Sequence, residues 1–382
     1  MKLKSQLFSI DVLTLTLTLN EPFTTSFGTE YYNKRVFILL MTHVGSMGLG
    51  EIPSMNSPAY KPECDFYSIL TSLEKFIIPS IKKYQKKKGN INTLDKLVES
   101  YSWIKGAYFA KSGLDAAFWH LLSNENKRPL HKVFGGTRTK IVSGVSIGGK
   151  TKSEVLEKAK IAIEKGYPRL KIKIWPGFDI EVVKALRKKH PDILLQVDAN
   201  SAYDKKDYKL LKKLDAYNLL LIEQPLAEND IVNHSEISKK IKTPICLDES
   251  IHSSEDVESA ILLWKKNKIL NRLIINIKPP RVGGYTEAIK IAKLCGENKI
   301  DCWCGGMLDS GWGKYMNMCF NSRKELTLPG DHFSPTGNYF KNDILSENLT
   351  AKKGIFKLDK PPTIDWKSLD KLTKTKKTYK LC

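Results

Sequence analysis

The chain lacks any stretch approaching the roughly 18 continuous apolar residues that a membrane-spanning helix requires. A helical membrane protein is therefore not expected. None of the seven cysteines falls in a CxxC pair, and the nearest approach is Cys302 and Cys304 around Trp303. The opening "MKLKSQLFSIDVLTLTLTL" sets lysines before an apolar stretch as a signal peptide does, but Asp11 interrupts it and Leu then alternates with Thr. That period of two predicts a strand rather than a leader. An odd number of cysteines without a signal peptide fits reduced thiols in a cytoplasm.

Negative charge is also scarce: 41 Asp and Glu face 62 Lys and Arg, a formal net charge of +21. Such an excess invites a nucleic-acid partner, because basic proteins gain binding energy by releasing counterions from phosphate. The distribution argues otherwise. Lysines recur along helix-like faces ("KKYQKKK", "KALRKKH", "YKLLKKLD", "SKKIK"), and the last 32 residues hold ten lysines against three aspartates. No zinc-finger spacing or RNA-binding aromatic motif accompanies them. The expectation is a solvated lysine surface, no specific nucleic-acid partner, no membrane, and a positive field that favours anionic substrates. Oligomeric state is not readable; a homo-oligomer is compatible with the sequence.

With 382 residues, 41% of them hydrophobic, the chain can build one large domain or two moderate ones. Its first third reads as α+β. "IDVLTLTLTL" predicts a strand, "NEPFTTSFGTEYYNK" reads as turn-rich, and "RVFILLMTHVGSMGLGEI" predicts a hairpin turning near Gly45. Helical patterns follow in "DFYSILTSLEKFIIPSIKKY" and "AYFAKSGLDAAFWHLLSNE". From about residue 140 short apolar runs alternate with charged amphipathic stretches, from "IVSGVSIG" through "RLKIKIW", "ILLQVDAN", "LLLIEQP", "PICLDES", "LIINIKPP" and "DCWCGGM" to "ELTLPGD". Eight such strands joined by helices predict a parallel sheet closed into a barrel.

Three consecutive strands end in an acid: Asp198 after "LLQV", Glu223 after "LLLI" and Asp248 after "PICL", with equal spacings of 223 − 198 = 25 and 248 − 223 = 25. One acid at a strand end is ordinarily a cap or turn residue. Three at the C-terminal rim, expected at one height, would repel one another unless a cation intervenes, and their hard oxygens suit magnesium, with manganese as a substitute. The barrel also changes how "RLKIKIWPG" is read. Alternation alone predicts a half-exposed strand, but both faces of a barrel strand are covered. With Leu170, Ile172 and Ile174 toward the helices, Lys171 and Lys173 point inward. Lys278, ending "LIINI", faces them across the mouth. A partly desolvated lysine beside a metal and another ammonium is expected to lose basicity and to accept a proton near neutral pH. The chemistry implied is proton abstraction next to a carboxylate, through an enediolate.

"KIK", "VDAN", "IEQP", "LDES" and "NIKPPRVGG", in that order, resemble the enolase superfamily, specifically the muconate lactonizing enzyme branch. The resemblance covers nearly the whole chain. It implies an α+β capping domain with substrate-covering loops over residues 1–135, a TIM-like (β/α)7β catalytic barrel over 136–345, and a segment, 346–382, that returns to the cap and carries the basic tail. It further implies Asp198, Glu223 and Asp248 as magnesium ligands, Lys173 as principal acid/base, Lys171 as enediolate stabiliser and Lys278 on the opposite face of the substrate. Asn200 and Glu249 would support them. "CWCGGMLDSGWGK" and "LTLPGD" are most similar to the group of o-succinylbenzoate synthases and N-succinylamino acid racemases. In that group Phe27, Met55 and Tyr60 would cover the substrate, and Ser146, Gly305, Gly306 and Met307 would meet a succinyl-type side chain. The expected activity is the dehydration that forms 2-succinylbenzoate for menaquinone, with a two-lysine racemase or dipeptide epimerase as the alternative. "PGDHF" offers Asp331 alone where dipeptide epimerases carry an Asp-x-Asp pair. The substrate would be a small anionic carboxylate.

Overall fold

A computed structural model describes residues 1–25 and 28–381. The chain opens with three antiparallel strands, β1 (Leu7–Thr25), β2 (Gly28–Thr42) and β3 (Met47–Ile52). Alternating Leu and Thr put Leu13, Leu15 and Leu17 in the core. The β2–β3 turn falls at 43–46, with Met41 opposite Met47. Within the stretch expected to be turn-rich, residues 20–25 and 28–34 are instead strand. Its composition hides tertiary support: Asn20 takes part in backbone and side-chain hydrogen bonds to residues 338–340, and at this end of the pair the β1–β2 register slips between Thr18 and Phe23, the interval holding Pro22.

The first predicted helix forms over Phe66–Thr71 and Ile78–Lys88, separated by a wider π-turn at Ser72–Ile77. Pro79 has no N–H for the carbonyl four residues earlier, which accounts for the local loosening. The second helix, Tyr108–Glu125, lies on β2 and β3. It approaches unusually closely because Gly48 and Gly50 carry no side chain: a Cβ there would stand 2.2 Å from the carbonyl oxygens of Ala117 and Gly113.

The barrel follows as β4 (Lys140–Ile147), β5 (Arg169–Lys173), β6 (Leu194–Asp198), β7 (Ile222–Glu223), β8 (Ile245–Leu247), β9 (Leu273–Ile277), β10 (Asp301–Cys304) and β11 (Gly330–Phe333). Neighbours pair in parallel in the order β10-β9-β8-β7-β6-β5-β4-β11. Thr327 and Leu328 donate backbone N–H bonds to the Cys302 carbonyl and bring β11 beside β10, leaving the barrel nearly closed. The eighth strand begins later than "ELTLPGD" suggested, since Glu325–Leu328 serves as this connection. Helices between strands cover the outside, and Leu170, Ile172 and Ile174 are buried against them with Val155, Ala159 and Val182. Inside, Leu221, Cys246, Ile274 and Trp303 form a separate apolar floor.

After the barrel, β12 (Ile355–Lys357) runs antiparallel to β4, and β13 (Thr373–Lys380) runs antiparallel to β1 at the edge of the first sheet. No helix among the described residues is long and apolar enough to cross a membrane.

Candidate active site

Above the apolar floor, the C-terminal strand ends carry a buried polar layer. All five residues of β5 are buried, with Lys171 at 2% and Lys173 at 7% exposure. The Lys173 ammonium donates to Asp198 Oδ2 and Asn200 Oδ1, both at 2.7 Å. Lys171 lies 2.6 Å from Asp331 Oδ2, 3.2 Å from Asp198 Oδ2 and 3.4 Å from Glu223 Oε2. Four strands on, half-way round an eight-stranded barrel, Lys278 donates to Asp248 Oδ2 at 2.7 Å and to the Tyr60 hydroxyl at 3.3 Å. Gly305 leaves room for that lysine, because a Cβ would stand 2.9 Å from Lys278 Cε and 2.4 Å from Asn276 Oδ1.

Asp198 and Glu223 sit side by side in register, whereas Asp248 lies two residues beyond Cys246, the register partner of Glu223. The stagger of a barrel's strands produces this offset, so the acids share a rim without sharing a height. Asn200 bridges onward, its Nδ2 donating to Glu249 Oε1 at 2.9 Å.

The titration of these groups follows from who faces whom. Burial would lift Asp198, but Lys173 and Lys171 hold it below the usual carboxylate range. Asp248 is likewise driven far down by Lys278 and Arg281 against its burial. Glu223 is pushed up to about 8 by burial and by Asp198, and Glu249 to about 7 by burial and by Asp248. With the acids turned onto them, two of the lysines do not lose basicity: burial presses Lys171 down, yet Asp331, Glu223 and Asp198 outweigh it and raise it well above the usual value. Lys278 is raised for the same reason, by Asp248.

A divalent cation fits the donor set by chemistry and place. Asp198, Glu223 and Asp248 are hard-oxygen donors with no solvent exposure, and Glu249 Oε2 has no hydrogen-bond partner. In this structure the acids are turned onto the lysines and Arg281, and no three potential ligands among the described residues converge on one point.

A cavity of about 360 Å³ opens between the barrel mouth and the first sheet, walled by Lys171, Lys173, Asn200 and Lys278 below and by Met55, Tyr60, Gly306, Met307 and Ser146 around. The Ser146 hydroxyl is buried without a partner. Gly305 does not line the cavity; it sits behind Lys278, which its missing side chain accommodates. The three carboxylates do not line it either, lying one layer beneath the lysines. Phe27 lies outside the described residues.

Sequence reasoning left four contributors without a role, all of them inside motifs it had already singled out. Gln224 Oε1 accepts the Asp248 and Ser250 backbone N–H bonds, fixing the end of β8. Asn276 Nδ2 donates to Glu223 Oε1 at 2.7 Å. Arg281 donates to Asp248 Oδ1, to the Tyr60 hydroxyl and to two backbone carbonyls. Asp331, held down to about 2 by Lys171 and Arg169 against its burial, pairs with Lys171 and accepts the Gly306 N–H at 2.9 Å. Their polar character at or near the ends of barrel strands was the signal available.

Two family models match the chain: mandelate racemase / muconate lactonizing enzyme, N-terminal domain, over residues 9–135, and enolase C-terminal domain-like over residues 154–362. An o-succinylbenzoate synthase of Bacillus subtilis (strain 168) is 38% identical over 348 residues, covering 91% of this chain and 90% of that protein. An N-succinylamino acid racemase of Amycolatopsis sp is 36% identical over 341 residues, 89% of each. A solved enolase superfamily member from Listeria innocua Clip11262 superimposes with a TM-score of 0.90 at 34% identity, covering 99% of this chain and 100% of that one.

Proposed function

We propose a function from one premise: the chain belongs to the mandelate racemase and muconate lactonizing enzyme family of the enolase superfamily. It dehydrates 2-succinyl-6-hydroxy-2,4-cyclohexadiene-1-carboxylate to 2-succinylbenzoate, a step of menaquinone biosynthesis. The observation that carries this is a pair of buried lysines on opposite walls of one cavity, with carboxylates on the strands between them. The substantial identity to o-succinylbenzoate synthases over nine-tenths of the chain selects the reaction.

Lys173 takes the proton α to the substrate carboxylate and returns it to the departing hydroxyl, a syn elimination. Asp198 and Asn200 hold its ammonium in the cavity wall between these two transfers. Lys171, kept charged by Asp331, offers positive charge to the enediolate oxygens. Lys278 presents its charge to the other face of the ring. Asp198, Glu223 and Asp248 would hold a divalent cation, magnesium in our reading, which supplies charge stabilisation at the substrate carboxylate. Ser146 and Met307 meet the succinyl arm, and Met55 and Tyr60 close over it.

Opposed lysines also suit a racemase, which needs one base on each face, and the Amycolatopsis relative supports that second reading. One experiment separates them. Purified protein with magnesium is given the cyclohexadiene carboxylate and, separately, N-succinyl amino acids in deuterated water. Aromatic product is expected, lost on chelation and regained with magnesium. Deuterium entering only the α carbon of the amino acids, without any dehydration, would replace the first reading with the second.

A further inference from the structure

The loop between β3 and the helix beginning at Phe66 keeps its own shape through backbone bonds: Met55 N–H to the Cys64 carbonyl at 2.9 Å and Phe66 N–H to the Met55 carbonyl at 3.1 Å. Among the described hydrogen bonds, its links to the barrel come from two adjacent side chains. Tyr60 reaches Asp248, Lys278 and Arg281 through its hydroxyl. Lys61 is 4% exposed, and its ammonium donates to the Glu228 carboxylate, beyond β7, and to the Glu249 carbonyl at 3.1 Å, beyond β8.

Burying a lysine costs desolvation and side-chain entropy, and here the expense secures a single loop against two strand ends. The side chain touches no reacting group and does not line the cavity. Its neighbour does both, since Tyr60 lines the cavity and contacts Lys278. A displacement of Lys61 would carry Tyr60 with it, because consecutive Cα atoms are fixed about 3.8 Å apart.

We propose that Lys61 is a positioning residue that, through Glu228 and the Glu249 carbonyl, pins the loop so that the Tyr60 hydroxyl stays on Lys278 and Asp248. The kinetic consequence rests on the dehydration reading; the structural consequence rests on the geometry alone. The test uses the full chain as wild type, Lys61→Met, Glu228→Gln, Lys61→Arg and the double variant Lys61→Met with Tyr60→Phe. Hydrogen exchange of residues 53–65 is measured in the free protein, alongside the helix Leu94–Tyr101 as an internal reference, thermal midpoints, and kcat and KM for dehydration. In Lys61→Met and Glu228→Gln the loop is expected to exchange about tenfold faster with the reference helix unchanged. Their kcat is expected to fall about tenfold with KM moving less than about threefold. Lys61→Arg should restore both, and Tyr60→Phe should add little to Lys61→Met. Wild-type exchange in both neutralised variants overturns the pin, and so does faster exchange that spreads to the reference helix with a falling midpoint. Faster loop exchange with unchanged kcat overturns the catalytic half. If wild type does not dehydrate the cyclohexadiene, the functional reading fails while loop exchange still decides the pin.

Discussion

β5 and β13 are written in nearly the same alphabet. "RLKIK" alternates lysine with apolar β-formers, and "TKTKKTYK" alternates it with threonine. Every residue of the first is buried, whereas the lysines of the second are exposed at the edge of the sheet. Lys376 and Lys377 reach out to Asp11 and Glu74 with about half of each side chain in water, at 52% and 58%. Alternation announces a strand in both; only the closure of the barrel decides that one set of lysines faces inward. Lys314 supplies a third case. It is as buried as Lys171, but its ammonium meets the Asn338 side-chain oxygen at 2.8 Å and the ring of Phe333 instead of a carboxylate. Burial pushes it down to about 8, with Asp343 and Asp309 only partly offsetting. Burial and partner together set what a lysine can do.

The comparison can be broken most sharply at β5. Lys173→Met should lower kcat about 10³-fold, measured by product absorbance, and should cost less unfolding free energy than the Asp248 change below, because Asp198 keeps Lys171 as a partner. At the opposite wall, Asp248→Asn would leave Lys278 and Arg281 without their shared carboxylate. A loss of about 4 kcal/mol in urea-unfolding free energy is expected, because breaking a buried pair strands charge. For Lys314 the sign runs the other way from a paired lysine. Its folded pKa lies below the unfolded one, so a penalty of roughly 3 kcal/mol is present below pH 8 and relieved between pH 8 and about 10.5. Stability of wild type should therefore rise over that window relative to Lys314→Met. On β13, Lys377→Ala should change stability by less than about 1 kcal/mol, as exposed ion pairs do.

Much of the site was legible because it repeats. Acids at intervals of one strand-helix unit, and lysines flanking Ile172, place themselves once eight strands are counted. The supporting residues do not announce themselves in this way. Gln224 acts by accepting N–H bonds from β8, and Arg281 by folding back onto Asp248 across a turn, so their roles exist only in three dimensions. Asp331 was visible as a single acid, but its pairing with Lys171 depends on β11 lying beside β4. The charge balance around Lys171 and Lys278 was not legible for a related reason: sequence suggested how many cations would gather, but not how near each carboxylate would stand. In the first sheet, residues 20–34 look like a turn because Asn, Pro and Gly favour turns locally. At the start of that stretch Asn20 is held in the strand by residues 338–340, more than three hundred positions away.

The claim that these buried lysines exist to move a proton is tested most directly by the cyclohexadiene substrate deuterated at the carbon α to its carboxylate, followed by aromatic absorbance with magnesium present. Wild type is expected to aromatise it more slowly than the protiated substrate, and Lys173→Met to aromatise neither. Turnover of the protiated substrate by Lys173→Met at the wild-type rate would contradict the assignment.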